Sequence, residues 1–324
     1  MNVNDSSTFE LVRFQDGPLG NSREWAELPQ DERRRRAVLA GQTYDPQQLW
    51  SLTEAHLALF GKAGAAISSR TLRTYRQGIA RYLDFAQVRA VSLLRPSRDS
   101  GALYIRTLEA EGLAPSTVQV HLAAARAFYK ALRWAGVTDS DPLADLSPAP
   151  DNTAPWDKRQ PYRDDELLCL LGYAGLRDRV LILLCAHGGL RISEAVALKW
   201  SDVQLSAAQM TVTGKGRKVR NVHLSASLKN ELLLLNEQTQ PGGQEPVIGA
   251  TQTAARQRLR RLCQESGVRY LGWHAMRHYA GTRLTRQTGN LEHAARHLGH
   301  SSLETTRIYA KWADDALNEA LEGW

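Results

Sequence analysis

The sequence predicts a mainly α-helical chain with one small β-hairpin or sheet, an α+β arrangement built from two domains. Three observations carry that reading. Apolar residues recur at three- and four-residue spacing through residues 46–146, the signature of amphipathic helices. Five of the twelve prolines crowd between Pro142 and Pro161, where Asp, Asn and Ser also gather. The stretch 210–224 sets two β-prone runs, MTVT and VRNVHL, on either side of the glycine-containing GKGRK. At 324 residues the chain is long enough for two domains that each bury a core.

Residues 1–45 are polar and hold four consecutive arginines, 33–36. They read as a partly helical N-terminal extension, its arginines either solvated or forming an arm along a nucleic-acid backbone. In the helical domain of residues 46–146, Ser69 or Thr71 caps a helix whose stripe is Leu72, Tyr75, Ile79, Tyr82 and Leu83. Pro115 and Ser116 open another, with Val118, Leu122, Ala125, Tyr129 and Leu132 on one face and His121, Arg126 and Lys130 elsewhere. Proline density makes residues 147–161 a linker that no continuous helix can cross. Such a tether would let two nucleic-acid-binding halves close around a duplex. In the second domain, residues 162–324, the segments 164–174 and 176–186 read as buried helices, and Gly188–Gly189 break the second. The hairpin follows with Lys215 at its tip, and helices resume at Thr253.

The net charge of +7 and the isoelectric point near 9.4 favour a polyanionic partner, nucleic acid or an anionic membrane surface. Only eight of the 41 basic residues are lysine, which a genomic bias toward arginine explains equally well. No run of 18 apolar residues occurs, and the first 20 residues contain Asp5, Glu10 and Asp16, so neither a membrane span nor a signal peptide is expected. Cys169, Cys185 and Cys263 have no paired spacing, and the first two lie in apolar runs; they read as small hydrophobes in a reducing cytoplasm.

Three motifs hold the chemistry: GGLRISEAVAL (188–198), HAMRH (274–278) and HSSLETTRIYA (300–310). Arg191 begins a helix behind two glycines, where a guanidinium and free helix N–H groups can share a phosphate. Glu194, three residues on, can hold it. His274 and Arg277 stand at i, i+3, on one helical face. Ser301 and Glu304 form a capping box that starts a short helix, placing His300 and Tyr309 near one cavity. A phenol of ordinary pKa is only about 0.1% ionised near pH 7, so Tyr309 needs a base or converging cations to act as a nucleophile. The spacing of His293, His297 and His300 suggests zinc, but Glu292 is the only further ligand type beside them and HExxH is absent. No metal is predicted. No Walker-type phosphate loop is present either.

In that order the motifs resemble the active site of the tyrosine recombinases, the phage-integrase and Xer-like family, over residues 163–311. The tyrosine nine residues after the histidine of LGHSS is the most specific match. The resemblance implies a helical core-binding domain followed by a catalytic domain, and a site-specific DNA recombinase that cuts and rejoins strands through a 3′-phosphotyrosyl link without ATP, metal or cofactor. It gives catalytic roles to Arg191, Lys215, His274, Arg277, His300 and Tyr309, with Glu194 in support. Lys215 would protonate the leaving 5′-oxygen, and Lys218 competes for that role or contacts DNA. Thr71, Arg73, Ser116, His121, Arg126 and Lys130 are the candidate DNA contacts of the helical domain. The implied partner is double-stranded DNA, bound by a homotetramer or a tetramer with a paralogue, with a monomer when free, in the nucleoid-associated cytoplasm. Type IB topoisomerase-like relaxation and a catalytically inert DNA-binding regulator on the same fold are the alternatives. The target sequence, biological role and accessory proteins stay open.

Overall fold

The computed structural model describes residues 18–153, 160–214, 218–300, Thr306 and 308–310. The chain divides into two compact units, Met1–Asn152 and Thr153–Trp324. Helices dominate both, and the second holds one three-stranded antiparallel sheet.

The first unit contains α1 (Pro18–Glu27), α2 (Gln30–Thr43), α3 (Pro46–Phe60), α4 (Ser69–Val88), α5 (Ser100–Ala110) and α6 (Pro115–Trp134). Local chemistry sets several starts. The Asp45 carboxylate accepts from the amides of Gln47 and Gln48 ahead of α3, whose first residue is proline. α4 is capped by Ser68, one residue before the predicted Ser69 or Thr71; its hydroxyl accepts from the Thr71 amide. Val118, Leu122, Ala125, Tyr129 and Leu132 of α6 are buried as their spacing predicts. At the centre, Tyr82 meets Tyr104 edge-on at 4.9 Å and shares a 2.9 Å hydrogen bond with the Tyr129 hydroxyl.

Packing starts earlier than the predicted boundary at residue 46. Trp25, Ala37 and Ala40 are buried in the same core as Leu49 and Leu52, so described residues 18–45 are part of this unit rather than an appended arm. Two arginines of the 33–36 run are spent on that packing. Arg33 donates to the carbonyls of Trp25, Ala26 and Leu28 and lies 4.6 Å over the Trp134 ring. Arg36 lies 4.4 Å over Trp25 and pairs with Glu24. Arg34 and Arg35 stay exposed.

The second unit is organised around a helix buried on all sides, α8 (Leu176–Ala186), in which every residue from Val180 to Ala186 is inaccessible. Around it stand α7 (Asp164–Tyr173), α9 (Ile192–Ala197), α10 (Ala226–Thr239) and α12 (Trp273–Thr288), with α11 (Gln252–Ser266) against α7 and α13 (Leu291–Leu298) against α12. The predicted hairpin is β2 (Gln209–Thr213) and β3 (Val219–His223), in register from Gln209↔His223 to Thr213↔Val219; a two-residue β1 (Val203–Gln204) adds an edge. Helix α10 was not expected from the pattern between the hairpin and Thr253. Ser225 caps it and Leu228, Leu232 and Leu235 form its buried stripe, yet half-buried Leu233 and exposed Leu234 blur the period.

Burial of Trp25 makes a measurable claim. Trp25→Ala should lower the urea unfolding stability of the first unit by about 3–5 kcal/mol, whereas Arg34→Ala should stay within about 0.5 kcal/mol. An unchanged unfolding midpoint for the tryptophan variant would make α1 an appendage after all.

Candidate active site

The site begins where α8 ends. Past Gly188–Gly189 the chain extends into Arg191, the N-cap of α9. Glu194, one turn in, closes that cap: its carboxylate accepts from the Arg191 amide at 3.0 Å and from Arg191 Nη1 at 2.8 Å. The same carboxylate accepts from Arg220 Nη2 of β3 at 2.8 Å, and Arg277 Nη1 of α12 lies 3.9 Å from it. Burial alone would push the Glu194 carboxyl up. The hydrogen bonds from Arg220 and from the Arg191 amide and side chain, with the Arg220 charge, outweigh it and hold the group down at about 2.

Arg277 is only 3% exposed. Its Nη1 donates to the Gly189 carbonyl and its Nη2 to the Leu298 carbonyl at 2.7 Å, tying α12 to the glycine turn and to the end of α13. Burial first, and Arg191 second, bring it down to about 10, so it stays a cation at neutral pH. Arg191 is the accessible one of the pair, with 37% of its side chain open.

Tyr309 packs between α12 and α13 with Ala280, Ala294 and Leu298. Gly281 makes room: a Cβ there would lie 2.6–2.8 Å from three atoms of the tyrosine ring. The His300 ring is nearly parallel to Tyr309 at 6.1 Å, and His278 Nδ1 lies 3.3 Å from the Tyr309 hydroxyl. The His274 ring stacks on His278 at 6.1 Å and is itself exposed. Burial pushes the phenol up to about 12, while Arg277 and Arg191 pull the other way. Burial, then Arg277, Arg191 and Arg220, lower His300 to about 4; its neutral ring shares a 3.0 Å hydrogen bond with the Thr306 hydroxyl. The turn that presents His300 depends on Gly299, whose φ of +67° is a left-handed conformation that favours glycine.

Of the residues singled out in the sequence, Arg191, Glu194, Arg277, His300 and Tyr309 converge here, and His274 stands at the exposed edge. Lys218 is exposed on the hairpin; Lys215, the Ser301–Glu304 pair and residues 314–324 lie outside the described residues. In the first unit Thr71, Arg73, Ser116 and Lys130 are exposed. Thr71 lines a 340 Å³ cavity between α4 and α6 with Tyr75 and Val120. Arg126 is engaged internally, donating to the carbonyls of Leu143, Ala144 and Leu146. His121 is half-buried, and burial lowers its pKa. His297, of the histidine triplet set aside as a zinc site, donates from Nε2 to the His187 carbonyl at 2.8 Å.

Three site residues were not found from sequence: Arg220, His278 and Gly281. Signals for them exist. Strand alternation puts Arg220 on the same face as buried Val222. His278 and Gly281 stand four residues after His274 and Arg277, on the same helical face.

Comparison with known proteins bears on the same segments. The profile of the phage integrase family matches residues 165–315, and that of the phage integrase N-terminal SAM-like domain matches residues 62–136. The tyrosine recombinase XerC of Xanthomonas campestris pv. campestris (strain B100) is 31% identical over 257 residues, spanning 75% of this chain and 79% of the relative. XerC of Neisseria gonorrhoeae (strain ATCC 700825 / FA 1090) is 32% identical over 270 residues, spanning 75% and 86%. In fold, the chain is similar to XerH recombinase bound to a palindromic difH substrate in a post-cleavage complex (TM-score 0.64, 20% identity, 94% and 93% covered). It is also similar to a lambda integrase tetramer bound to a Holliday junction (TM-score 0.63, 18% identity, 81% and 76% covered).

The depressed Glu194 carboxyl has a signed consequence. A folded-state pKa of about 2, below the unfolded value, contributes stability that is fully present above the ordinary carboxylate range and is lost as pH falls toward 2. Glu194→Gln should therefore be destabilised at neutral pH, and the difference from wild type should shrink between about pH 4.5 and 2. A difference independent of pH across that window, from urea titrations, would show that the charge is not what the arginines hold.

Proposed function

The chain belongs to the tyrosine recombinases of the phage integrase family, DNA breaking-and-rejoining enzymes of site-specific recombination, and from that premise we propose how its own residues carry out the reaction. Tyr309 attacks a DNA phosphodiester. The Tyr309 O–P bond forms as the bond from phosphorus to the 5′-oxygen breaks, leaving a 3′-phosphotyrosyl link and a 5′-hydroxyl. Attack by a 5′-hydroxyl from the partner duplex reverses the step, so the link itself conserves the bond energy. The observation that carries this reading is the Tyr309 hydroxyl held beside His278, in the field of Arg277 and Arg191.

The roles follow from position. Arg191, the more accessible guanidinium, and Arg277 stabilise charge on the non-bridging oxygens, each as one fixed donor group. A phenol raised to about 12 does not ionise unaided at neutral pH, and His278 Nδ1 stands within hydrogen-bond reach of its hydroxyl. His274, stacked on His278 and open to solvent, is placed to pass that proton on. Neutral His300 supports the ring and can donate to phosphate. The leaving 5′-oxygen takes its proton from Lys215 at the hairpin tip, with Lys218 as the competing donor. Thr71, Arg73, Ser116, His121 and Lys130 contact DNA from the helical unit; Arg126 contributes by holding the chain after α6.

A nicked duplex carrying the chain's own site, located by footprinting, tests the nucleophile. Tyr309→Phe should bind with wild-type affinity and form no covalent adduct, and an adduct with this variant would refute the assignment. In the same assay His278→Ala should slow adduct formation more than His274→Ala; the reverse order returns the proton to His274. Adduct formation with relaxation but no exchange would indicate topoisomerase chemistry instead.

Four protomers, of this chain or of this chain with a paralogue, assemble on two duplexes. Support comes from the tail sequence KWADDALNEALEGW, where the spacing of Ala313, Ala316, Leu317, Ala320 and Leu321 predicts one apolar helical face. A helix so short would be marginal unless docked, either on its own catalytic domain or on a neighbouring protomer, where head-to-tail contacts would close a ring. Deleting residues 314–324 should leave single-site binding intact and abolish strand exchange on two-site substrates. Full exchange by the truncated chain would exclude docking in trans.

A further inference from the structure

Arg220 has no part in the chemistry so far, yet it touches three pieces of the site at once. Its Nη2 donates to Glu194 Oε2 at 2.8 Å. Its stem runs beneath the turn before His300: a Cβ on Gly299 would fall 2.6 Å from Arg220 Cδ and 3.1 Å from Nε. On the hairpin side, a Cβ on Gly214 would lie 3.3 Å from Glu194 Oε1 and 3.7 Å from Arg220 Nη1. Arg220 is thus threaded between two glycines, one next to Lys215 in the chain and the other next to His300. Only 14% of its side chain is exposed, against 37% for Arg191. Arg191 is thus the more open of the two guanidinium groups that Glu194 holds by hydrogen bonds.

We propose that Arg220 is a positioning residue for DNA cleavage, holding Glu194 Oε2 so that Oε1 fixes the Arg191 guanidinium and so that hairpin and His300 turn share one anchor. Energetics favour function over plain stability. Replacing a buried ion pair with packed apolar residues is often neutral or stabilising, so stability alone does not call for such a pair. A cation that leaves its Nε buried without a hydrogen-bond partner is a poor device for stability alone. It is a good device for orientation, because its hydrogen bond fixes Glu194 Oε2 and leaves Oε1 placed for Arg191. With Glu194 held from one side by Arg220, its Oε1 stays in place for Arg191 Nη1.

The inference rests on the reading of Arg191 as a phosphate-binding cation, and the test separates the two. Single-turnover cleavage of the nicked duplex at saturating protein is measured for Arg191→Ala, Arg220→Ala and the double variant, with DNA affinity and thermal melting alongside. Arg220→Ala should slow cleavage at least about tenfold and change affinity less than about twofold, placing the loss in the chemical step. The double variant should be within about threefold of Arg191→Ala, because a residue that acts through another adds little once that other is gone. Arg220→Lys, which keeps charge but loses the fork, should fall between wild type and alanine, and it replaces Arg220→Ala in the cycle if that variant does not fold. Multiplying defects would mean that Arg220 acts independently of Arg191, and a wild-type rate for the Arg220 variants would mean it does not act at all; either overturns the proposal. A wild-type rate for Arg191→Ala would instead defeat the phosphate assignment beneath it.

Discussion

A single buried carboxylate makes the catalytic unit's site possible. Arg191, Arg220 and Arg277 come from a helix start, a strand and a second helix, and all three point at Glu194. Two unit charges 4 Å apart repel by about 4 kcal/mol at an effective dielectric of 20, so three guanidinium groups would not gather without an anion among them. Glu194 supplies it while leaving a net positive charge on the cluster. Its cost is desolvation, which the arginines overcome with enough margin to hold the carboxyl at about 2. The pocket is pre-organised by its own ion pairs, as electrostatic catalysis requires.

Helix α12 distributes this organisation to both sides of the unit. One face carries His274, Arg277, His278 and Gly281 toward the tyrosine. From another, the Tyr279 hydroxyl donates to Asp164 Oδ1 and its ring stacks on His187. His187 also accepts at its carbonyl from His297 and shares a 2.8 Å hydrogen bond with Ser225. The residues before and after Gly188 are thereby fixed from several elements, and the Gly189 carbonyl that orients Arg277 inherits that rigidity. Burial, with Arg283 adding to it, holds the His187 ring at about 4, so the arrangement stays neutral and does not compete with the arginines for an anion.

Much of this was legible in the residues. Helical spacing located α4 and α6, paired β-prone runs located the hairpin, and the capping geometry of Arg191 with Glu194 follows from their separation. Reading failed where tertiary structure decides. Arginines 33 and 36 count as surface charge in any composition, yet they lie on Trp134 and Trp25 because indole faces attract guanidinium groups. Arg126 looks like an outward cation until the chain after Leu143 returns to offer carbonyls. Histidine at position 278 carries no label that separates it from His274; the fold shows its Nδ1 3.3 Å from the phenol oxygen. Arg220 is hidden by the same logic, a charged residue on the inner face of a strand, where alternation alone suggests something apolar.

The hairpin's attachment through Arg220 bears on modularity. A two-stranded excursion looks like a replaceable part that could be exchanged between relatives. Here the graft boundary runs through a shared ion pair: Glu194 belongs to the scaffold, Arg220 to the insert, and Gly299 to a turn about eighty residues later that must stay bare to admit the arginine's stem. Chimeras cut between these positions inherit an anion without its cation, or a side chain without its groove. The hairpin, the α9 start and the turn after α13 therefore form one heritable unit despite their separation in the chain.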